Sequence, residues 1–376
     1  METNNHHRAL IALLKVPGMG PRSARLLLKR SGAEKAEDIF HMSPGDLSKI
    51  DGIGTEKAKN IIQFDQWDLV DKVLESTERV GATILSLADQ HYPDLLRQTY
   101  DPPILLWIKG DPKALNEQAI AVVGTRNPGS YGLSQAEQWS RKLCGCGLGI
   151  NSGLAYGVDS RAHKTAVECG GTTVAVLGSG IDWIYPDKNR KLAAQIAENG
   201  GAVITEHPPG TKPEAVHFPE RNRIVSGMSH GVLVVESGIK GGSMITARLA
   251  LDQNREVFVV PHQLGYLKGE GCNYLIKTGQ GKLVQSIEDL TVELSLNLSS
   301  DQKSADSGIS KPKKWEKESL SEEQKEVCRA LEHEPLHVDK LSEQLETEPF
   351  KLASLLLEME MAGLIQQRAG KYFELK

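Results

Sequence analysis

Four clusters in this chain combine cations, hydroxyls and glycine-rich turns in a way that suits an anion. Phe218-Pro219-Glu220-Arg221-Asn222-Arg223-Ile224 sets two arginines around an asparagine after a proline, which reads as a loop reaching a common anion. The forked guanidinium suits phosphate. The competing reading is internal ion pairing, for instance with Glu206 or Glu236. Val123-Gly124-Thr125-Arg126 leaves an apolar run and Gly129-Ser130-Tyr131-Gly132 opens a helical one, so amides, hydroxyls and one cation face their junction. Gly178-Ser179-Gly180 follows another apolar run. Glu236-Ser237-Gly238-Ile239-Lys240-Gly241-Gly242-Ser243-Met244-Ile245-Thr246-Ala247 repeats strand, glycine-rich loop and helix, with Ser243 at an N-cap-like position.

The same segments argue against several chemistries. No Gly-Lys-Ser/Thr follows the first loop, so it is not a Walker loop. Trp183 stands where the third glycine of a dinucleotide fingerprint belongs, which speaks against a nicotinamide cofactor. Asp159 and His163 are spaced for one helix face and could act as acid and base, but no nucleophile motif accompanies them. A helix cap and a packed histidine explain them as well. The five cysteines form no Cys-x-x-Cys pair, so neither a metal site nor a disulfide framework is expected, and free thiols fit a reducing cytoplasm.

These loops need a scaffold, and the sequence between them supplies one. Ala119–Val123, Thr173–Leu177, Ala202–Thr205, Gly231–Val235 and Glu256–Val260 are short Val- and Ile-rich runs, nearly continuous in hydrophobicity, as in a parallel sheet buried on both faces. Helical stretches alternate with them: Gly132–Cys146, Asp159–Glu168, Asp187–Glu198 and Ser243–Asn254. This rhythm predicts an α/β domain, a Rossmann-like doubly wound and mostly parallel sheet, over residues 79–290. Parallel strands put their C-terminal loops on one edge, so three anion-ready helix N-termini should converge there.

Residues 1–78 read as short helices with an internal repeat: Val16-Pro17-Gly18-Met19-Gly20 against Ile50-Asp51-Gly52-Ile53-Gly54, at a spacing of 34 residues. A Gly-hydrophobic-Gly turn between helices presents backbone amides that bind phosphate without reading bases. Residues 8–35 carry seven basic side chains against Glu34 alone, whereas residues 46–72 carry four against six acidic ones. The first hairpin (Gly18, Gly20, Arg22, Arg25) is therefore the expected secondary contact. Residues 291–318 read as a linker. Residues 319–376 read as three helices, Leu336–Leu345 being the second, with a β wing around Ala369-Gly370. The formal charge of −5 over 376 residues gives no global basic footprint, so a nucleic-acid site must be local. No stretch approaches the roughly 18 apolar residues of a membrane span.

Taken together, the motifs resemble the DNA-processing protein A (DprA, or Smf) family. The resemblance rests on Ala121-Val122-Val123-Gly124-Thr125-Arg126, on Ser152-Gly153-Leu154-Ala155-Tyr156-Gly157-Val158-Asp159 with Ala162-His163, and on Ala175-Val176-Leu177-Gly178-Ser179-Gly180 with Tyr185-Pro186 and Asn189. It continues through Phe218 to Gly227 and Ile245-Thr246-Ala247-Arg248. The flanking segments resemble tandem helix-hairpin-helix (SAM-like) and winged-helix domains. The resemblance implies a cytoplasmic, non-catalytic mediator that binds single-stranded DNA, protects it, dimerises through the Rossmann-like domain and loads the RecA recombinase in natural transformation. It implies no metal or cofactor. Carried onto this chain, it makes Arg126, Arg221 and Arg223 phosphate contacts and Lys240 a further cation. Asn222, Gly124, Thr125, Ser152, Gly153, Gly178, Ser179, Gly242 and Ser243 complete the pocket. Gly129, Tyr156, Gly241 and His262 depart from the family's usual Ser, Arg, Ser and Gly, and Tyr156 is placed to stack on a base. The alternative, a nucleotide-processing enzyme of the related phosphoribohydrolase-like Rossmann superfamily, needs a Pro-Gly-Gly-x-Gly-Thr-x-x-Glu loop. Ser237–Thr246 lacks its proline, its Gly-Thr and its glutamate.

Overall fold

A computed structural model describes residues 2–32, 35–294, 320–331, 336–345, 347, 349–362, 364–368 and 372–375. It forms two compact units, residues 1–302 and 303–376.

The first unit opens with helices α1 (Glu2–Lys15), α2 (Pro21–Arg30), α3 (Pro44–Ser48), α4 (Thr55–Ile62) and α5 (Trp67–Arg79). The repeated turns share one construction. Gly18 and Gly52 take positive φ (78° and 85°), Met19 and Ile53 are buried, and Gly20 and Gly54 are the N-caps of α2 and α4. The positive φ is what selects glycine at the first position. The hairpins also touch each other: Lys57 Nζ donates to Ser23 Oγ at 3.0 Å, and Asn60 donates to the Pro17 carbonyl.

Then come β1 (Thr83–Ser86), α6 (Asp94–Arg97), β2 (Leu105–Gly110), β3 (Ala119–Val123), α7 (Ser130–Gly145), β4 (Gly149–Ser152), α8 (Val158–Glu168), β5 (Thr173–Val176), α9 (Arg190–Glu198), β6 (Ala202–Thr205), α10 (His217–Gly227), β7 (Gly231–Val234), α11 (Gly242–Asp252), β8 (Glu256–Val259), α12 (Glu270–Lys277), β9 (Lys282–Leu283) and α13 (Ile287–Leu294). The nine strands form one sheet in the order β1-β2-β6-β5-β4-β3-β7-β8-β9. From β6 to β9 all pairings are parallel, and β1 and β2 add an antiparallel edge. β3 pairs with β4 on one side and β7 on the other, so the order reverses between β3 and β7. That reversal is where doubly wound sheets open a crevice.

The strand expected at Thr173–Leu177 and its neighbours are present, each buried along its length apart from Glu256. Central β4 has no counterpart in the sequence reading, because Asn151 and Ser152 break its apolar run. Both are satisfied by long-range bonds: Asn151 Nδ2 to Ser229 Oγ at 2.9 Å and Ser152 Oγ to the Val122 carbonyl at 2.6 Å. The segment read as a loop around Arg221 is helix α10. Pro219 lies in its first turn, where its missing N–H breaks no helical bond. Ala9, Leu13, Leu27 and Ile61 of the helical region share one buried core with Leu105, Trp107, Ala175 and Val203 of the sheet. The helical region therefore packs directly on the sheet.

The second unit holds α14 (Glu322–Ala330), β10 (Leu336–His337), α15 (Val338–Gln344), α16 (Pro349–Met361), β11 (Ile365–Arg368) and β12 (Tyr372–Leu375). Leu336 and His337, expected as the start of the second helix, instead pair with Phe373 and Tyr372 as a third strand beside the wing. His337 then caps α15 by accepting the Asp339 amide. Of the expected linker, residues 291–294 continue α13, and 295–318 lie outside the described residues, as does the turn at 369–370. No helix among the described residues is long and apolar enough to cross a membrane.

Candidate nucleic-acid interface

At the β3/β7 reversal a cleft of about 680 Å³ opens. Three strand ends line it: Gly124, Thr125 and Arg126 after β3, Gly153 and Ala155 after β4, and Gly241, Gly242 and Ser243 at the start of α11. Helix α10 forms the remaining wall with Phe218, Arg221 and Asn222. Arg126 is exposed, with its guanidinium carbon 5.5 Å from the centre of the Phe218 ring. Tyr185, 43% exposed, lies 5.5 Å from the same ring. Tyr156 is exposed in a side extension that Arg126, Tyr185 and Phe218 also line.

The three helix N-termini expected to converge have different fates. At α7 the carboxylate of Glu236 accepts the Gly129 amide at 2.9 Å, so the chain's own anion holds that terminus. This accounts for the glycines there: a Cβ on Gly129 would collide with Tyr266 Oη, and one on Gly132 with Glu236 itself. Gly178 and Ser179, expected in the pocket, are buried away from it. A Cβ on Gly178 would lie 3.2 Å from Phe218, and Ser179 Oγ donates to the Trp183 carbonyl at 2.6 Å. The third terminus, at α11, faces the cleft. Gly242 is exposed, no side chain caps the helix, and Ser243 Oγ donates to Ser237 Oγ at 2.8 Å. Ser152, also placed in the pocket by resemblance, is buried and ties β4 to β3. Lys240 is exposed beside the α11 loop but does not line the cleft.

The two arginines read as sharing one anion do not share it. Two helical positions apart, they leave α10 about 200° apart. Arg221 is only 4% exposed and donates to the carbonyls of Gly153 and Val176, with Nε toward Asn222 Oδ1. Burial pushes its pKa down to about 10, so it stays charged at neutral pH. Arg223 turns the other way and pairs with Glu206, and more loosely with Asp101. Internal pairing thus describes Arg223, and Glu206 is its partner.

Asp159 and His163 form no acid–base pair. Asp159 accepts the amides of Gly153 and Ala155, and burial raises its pKa while the nearby Arg221 charge opposes the rise. His163 is fully buried with Nδ1 on Thr173 Oγ1 at 2.7 Å. Gly157 makes possible the tight turn that leads from β4 into α8 just before Asp159. Its φ is +78°, and a Cβ there would collide with the Thr125 carbonyl. Gly157→Ala should lower stability by about 1–3 kcal/mol, read as a lower denaturation midpoint. An unchanged midpoint would show that the loop after β3 relaxes freely.

Arg22 and Arg25 are not at the Gly18–Gly20 turn face. They line a separate cleft between α2 and the segment before β2. Among the described residues no group of three or more His, Cys, Asp or Glu side chains could hold a metal ion. Glu236, offered by the sequence as a partner for the arginines, instead holds the α7 terminus, a role for which the glycines at 129 and 132 are the local trace. The contact of exposed Tyr185 with half-buried Phe218 carries no local signal that separates it from core aromatics.

The fold and site define a class: a Rossmann-like protein with a cleft at its switch point, flanked in sequence by a tandem hairpin region and a winged helix. The chain belongs to the DNA recombination-mediator protein A family, whose model matches residues 83–295. A DprA winged helix domain matches 311–371, and a SAM-like helix-hairpin-helix tandem matches 10–64. Protein Smf of Escherichia coli is 34% identical over 86% of each chain. DNA processing protein DprA of Bacillus subtilis is 41% identical over 59% of this chain and 75% of its own. The crystal structure of DNA processing protein A from Streptococcus pneumoniae superposes with a TM-score of 0.65 at 33% identity, over 76% of this chain and 97% of that one. DNA processing protein A from Helicobacter pylori, studied for its single-stranded DNA binding mode, gives a TM-score of 0.51 at 31% identity over 57% and 95%.

Proposed function

We propose that this protein binds single-stranded DNA in the cleft between β3 and β7 and delivers the strand to the RecA recombinase, acting by electrostatics and scaffolding and not by bond making. The observation that carries the reading is the joint exposure of Arg126 and the uncapped N-terminus of α11 in one cleft. A phosphate seated there meets a guanidinium and backbone amides, neither of which reads a base. The exposed Tyr185 and Tyr156 offer stacking faces to unpaired bases, which a duplex does not present. A homodimer would hold two segments and raise avidity through effective concentration. The five free cysteines suit a cytoplasmic protein.

Arg126→Ala should weaken binding of single-stranded oligonucleotides about ten-fold or more, equally for all sequences, and flatten the salt dependence by about 0.7 in log–log slope. Fluorescence anisotropy across a salt series reads both. Unchanged affinity, or a changed base preference, would remove the phosphate role. The RecA step is read separately: wild type should shorten the lag of RecA-driven strand exchange on DNA coated with a single-strand-binding protein, and Arg126→Ala should not.

A further inference from the structure

A second cleft, of about 850 Å³, lies between α2 and the segment joining β1 to β2. Six arginine and lysine side chains line it, from Arg22 on α2 to Arg97 on α6, against one carboxylate, Asp51. Arg25, Arg30 and Arg97 each face a carboxylate, in Asp101, Asp51 and Asp94. Arg22 and Lys29 meet none among the described residues. Tyr100 stands at the cleft with 77% of its surface exposed, and the Arg22 guanidinium lies 5.5 Å from its ring centre. The floor is apolar, with Leu10, Leu87 and Ile104.

We propose that this cleft is a second seat for the same single strand, in which phosphates meet Arg22 and Lys29 and an unpaired base stacks on Tyr100. The proposal rests on the reading of the first cleft and extends it. An exposed tyrosine already paired with a guanidinium is a ready stacking platform, and a cationic groove beside it tracks a backbone. A duplex keeps its base faces covered, so the ring selects for a single strand. The two clefts are joined through one bridge: Asp101 takes Arg25 from the wall of the second and Arg223 from α10, the helix whose Arg221 and Asn222 line the first. The cations expected to serve the first hairpin turn thus serve a different surface.

The test uses the full chain with oligothymidylates of about 6 nucleotides, which one seat of this kind accommodates, and about 30, long enough to reach two. Tyr100→Ala should weaken the long oligonucleotide about ten-fold and leave the short one unchanged, while Tyr100→Phe keeps wild-type affinity. Arg22→Ala/Lys29→Ala should weaken the long oligonucleotide and reduce its salt slope by about 1.4. All these side chains are exposed, so folding is preserved, and circular dichroism verifies it. Wild-type binding of the long oligonucleotide by both variants would overturn the proposal. Equal loss at both lengths would also overturn it, since the cleft would then be the primary seat. So would loss of a glutamate-rich peptide with DNA binding intact, which would assign the cleft to an acidic protein. Arg126→Ala separates the two readings: if it leaves the short oligonucleotide bound, the first cleft fails as the primary seat, while a length-dependent Tyr100 effect still supports the second.

Discussion

Arg221→Ala should destabilise the sheet unit by about 3–5 kcal/mol, the usual result of removing one partner from a buried charged network. The guanidinium supplies donors to the carbonyls of Gly153, which begins the turn after β4, and Val176, which ends β5, and its charge offsets buried Asp159. The substitution leaves two buried acceptors unpaired, a carboxyl without its counter-charge and a cavity. Gly153 has no side chain for the same reason, since a Cβ there would strike the guanidinium. Arg221→Lys should not rescue, because one ammonium on a flexible stem cannot reproduce the fork. Urea denaturation followed by circular dichroism reads the effect. A variant with the wild-type midpoint and no DNA binding would return Arg221 to the role of a direct phosphate contact.

The second large effect is acid sensitivity centred on His163. Thr173 Oγ1 donates to the Ile150 carbonyl, so it accepts from His163, which places the ring proton on Nδ1. Nε2 is buried without a partner. Burial, with the Arg221 charge adding to it, pushes the His163 pKa down to about 3. Between the unfolded value near 6.5 and that value, the unfolded chain takes up a proton that the native state refuses. Stability from this group is therefore complete above the upper limit, falls as the pH falls and levels off below the lower limit. The full window is worth about 5 kcal/mol at roughly 1.4 kcal/mol per pH unit. Asp159, with its raised pKa, works in the opposite sense and gains stability on acidification, so the wild-type slope alone understates the histidine. His163→Leu isolates it: the variant's stability should vary less steeply with pH across that window. Parallel curves for variant and wild type would mean that the ring titrates near its normal value in the native state.

These two residues show why the site divided as it did. In sequence, Arg221 and Arg223 are equivalent cations in one motif. In the fold, helix α10 turns one under the cleft and the other to Glu206, and only Arg126 keeps its charge open to solvent within the cleft. Likewise Gly129 and Gly178 read as phosphate-binding turns, yet Glu236 holds one and Phe218 covers the other. Glycine patterns record that something approaches the backbone closely, and a carboxylate or ring of the same chain satisfies them as well as a ligand does.

By itself the sequence determined the alternation of buried runs and helices, hence the doubly wound sheet, the repeated Gly-x-Gly hairpins and the edge on which the loops gather. All of these follow from local periodicity and from turns that need positive φ. It also carried the motifs that mark the family. Only the tertiary structure decided that β4 runs through the centre despite Asn151 and Ser152, that Leu336 joins a wing strand, which cations remain free, and that Tyr100 meets Arg22 across a cleft. Each of those depends on a partner distant in the chain. Whether a buried polar group or a charge is satisfied within the protein is a property of that partner, which the local pattern of residues does not contain.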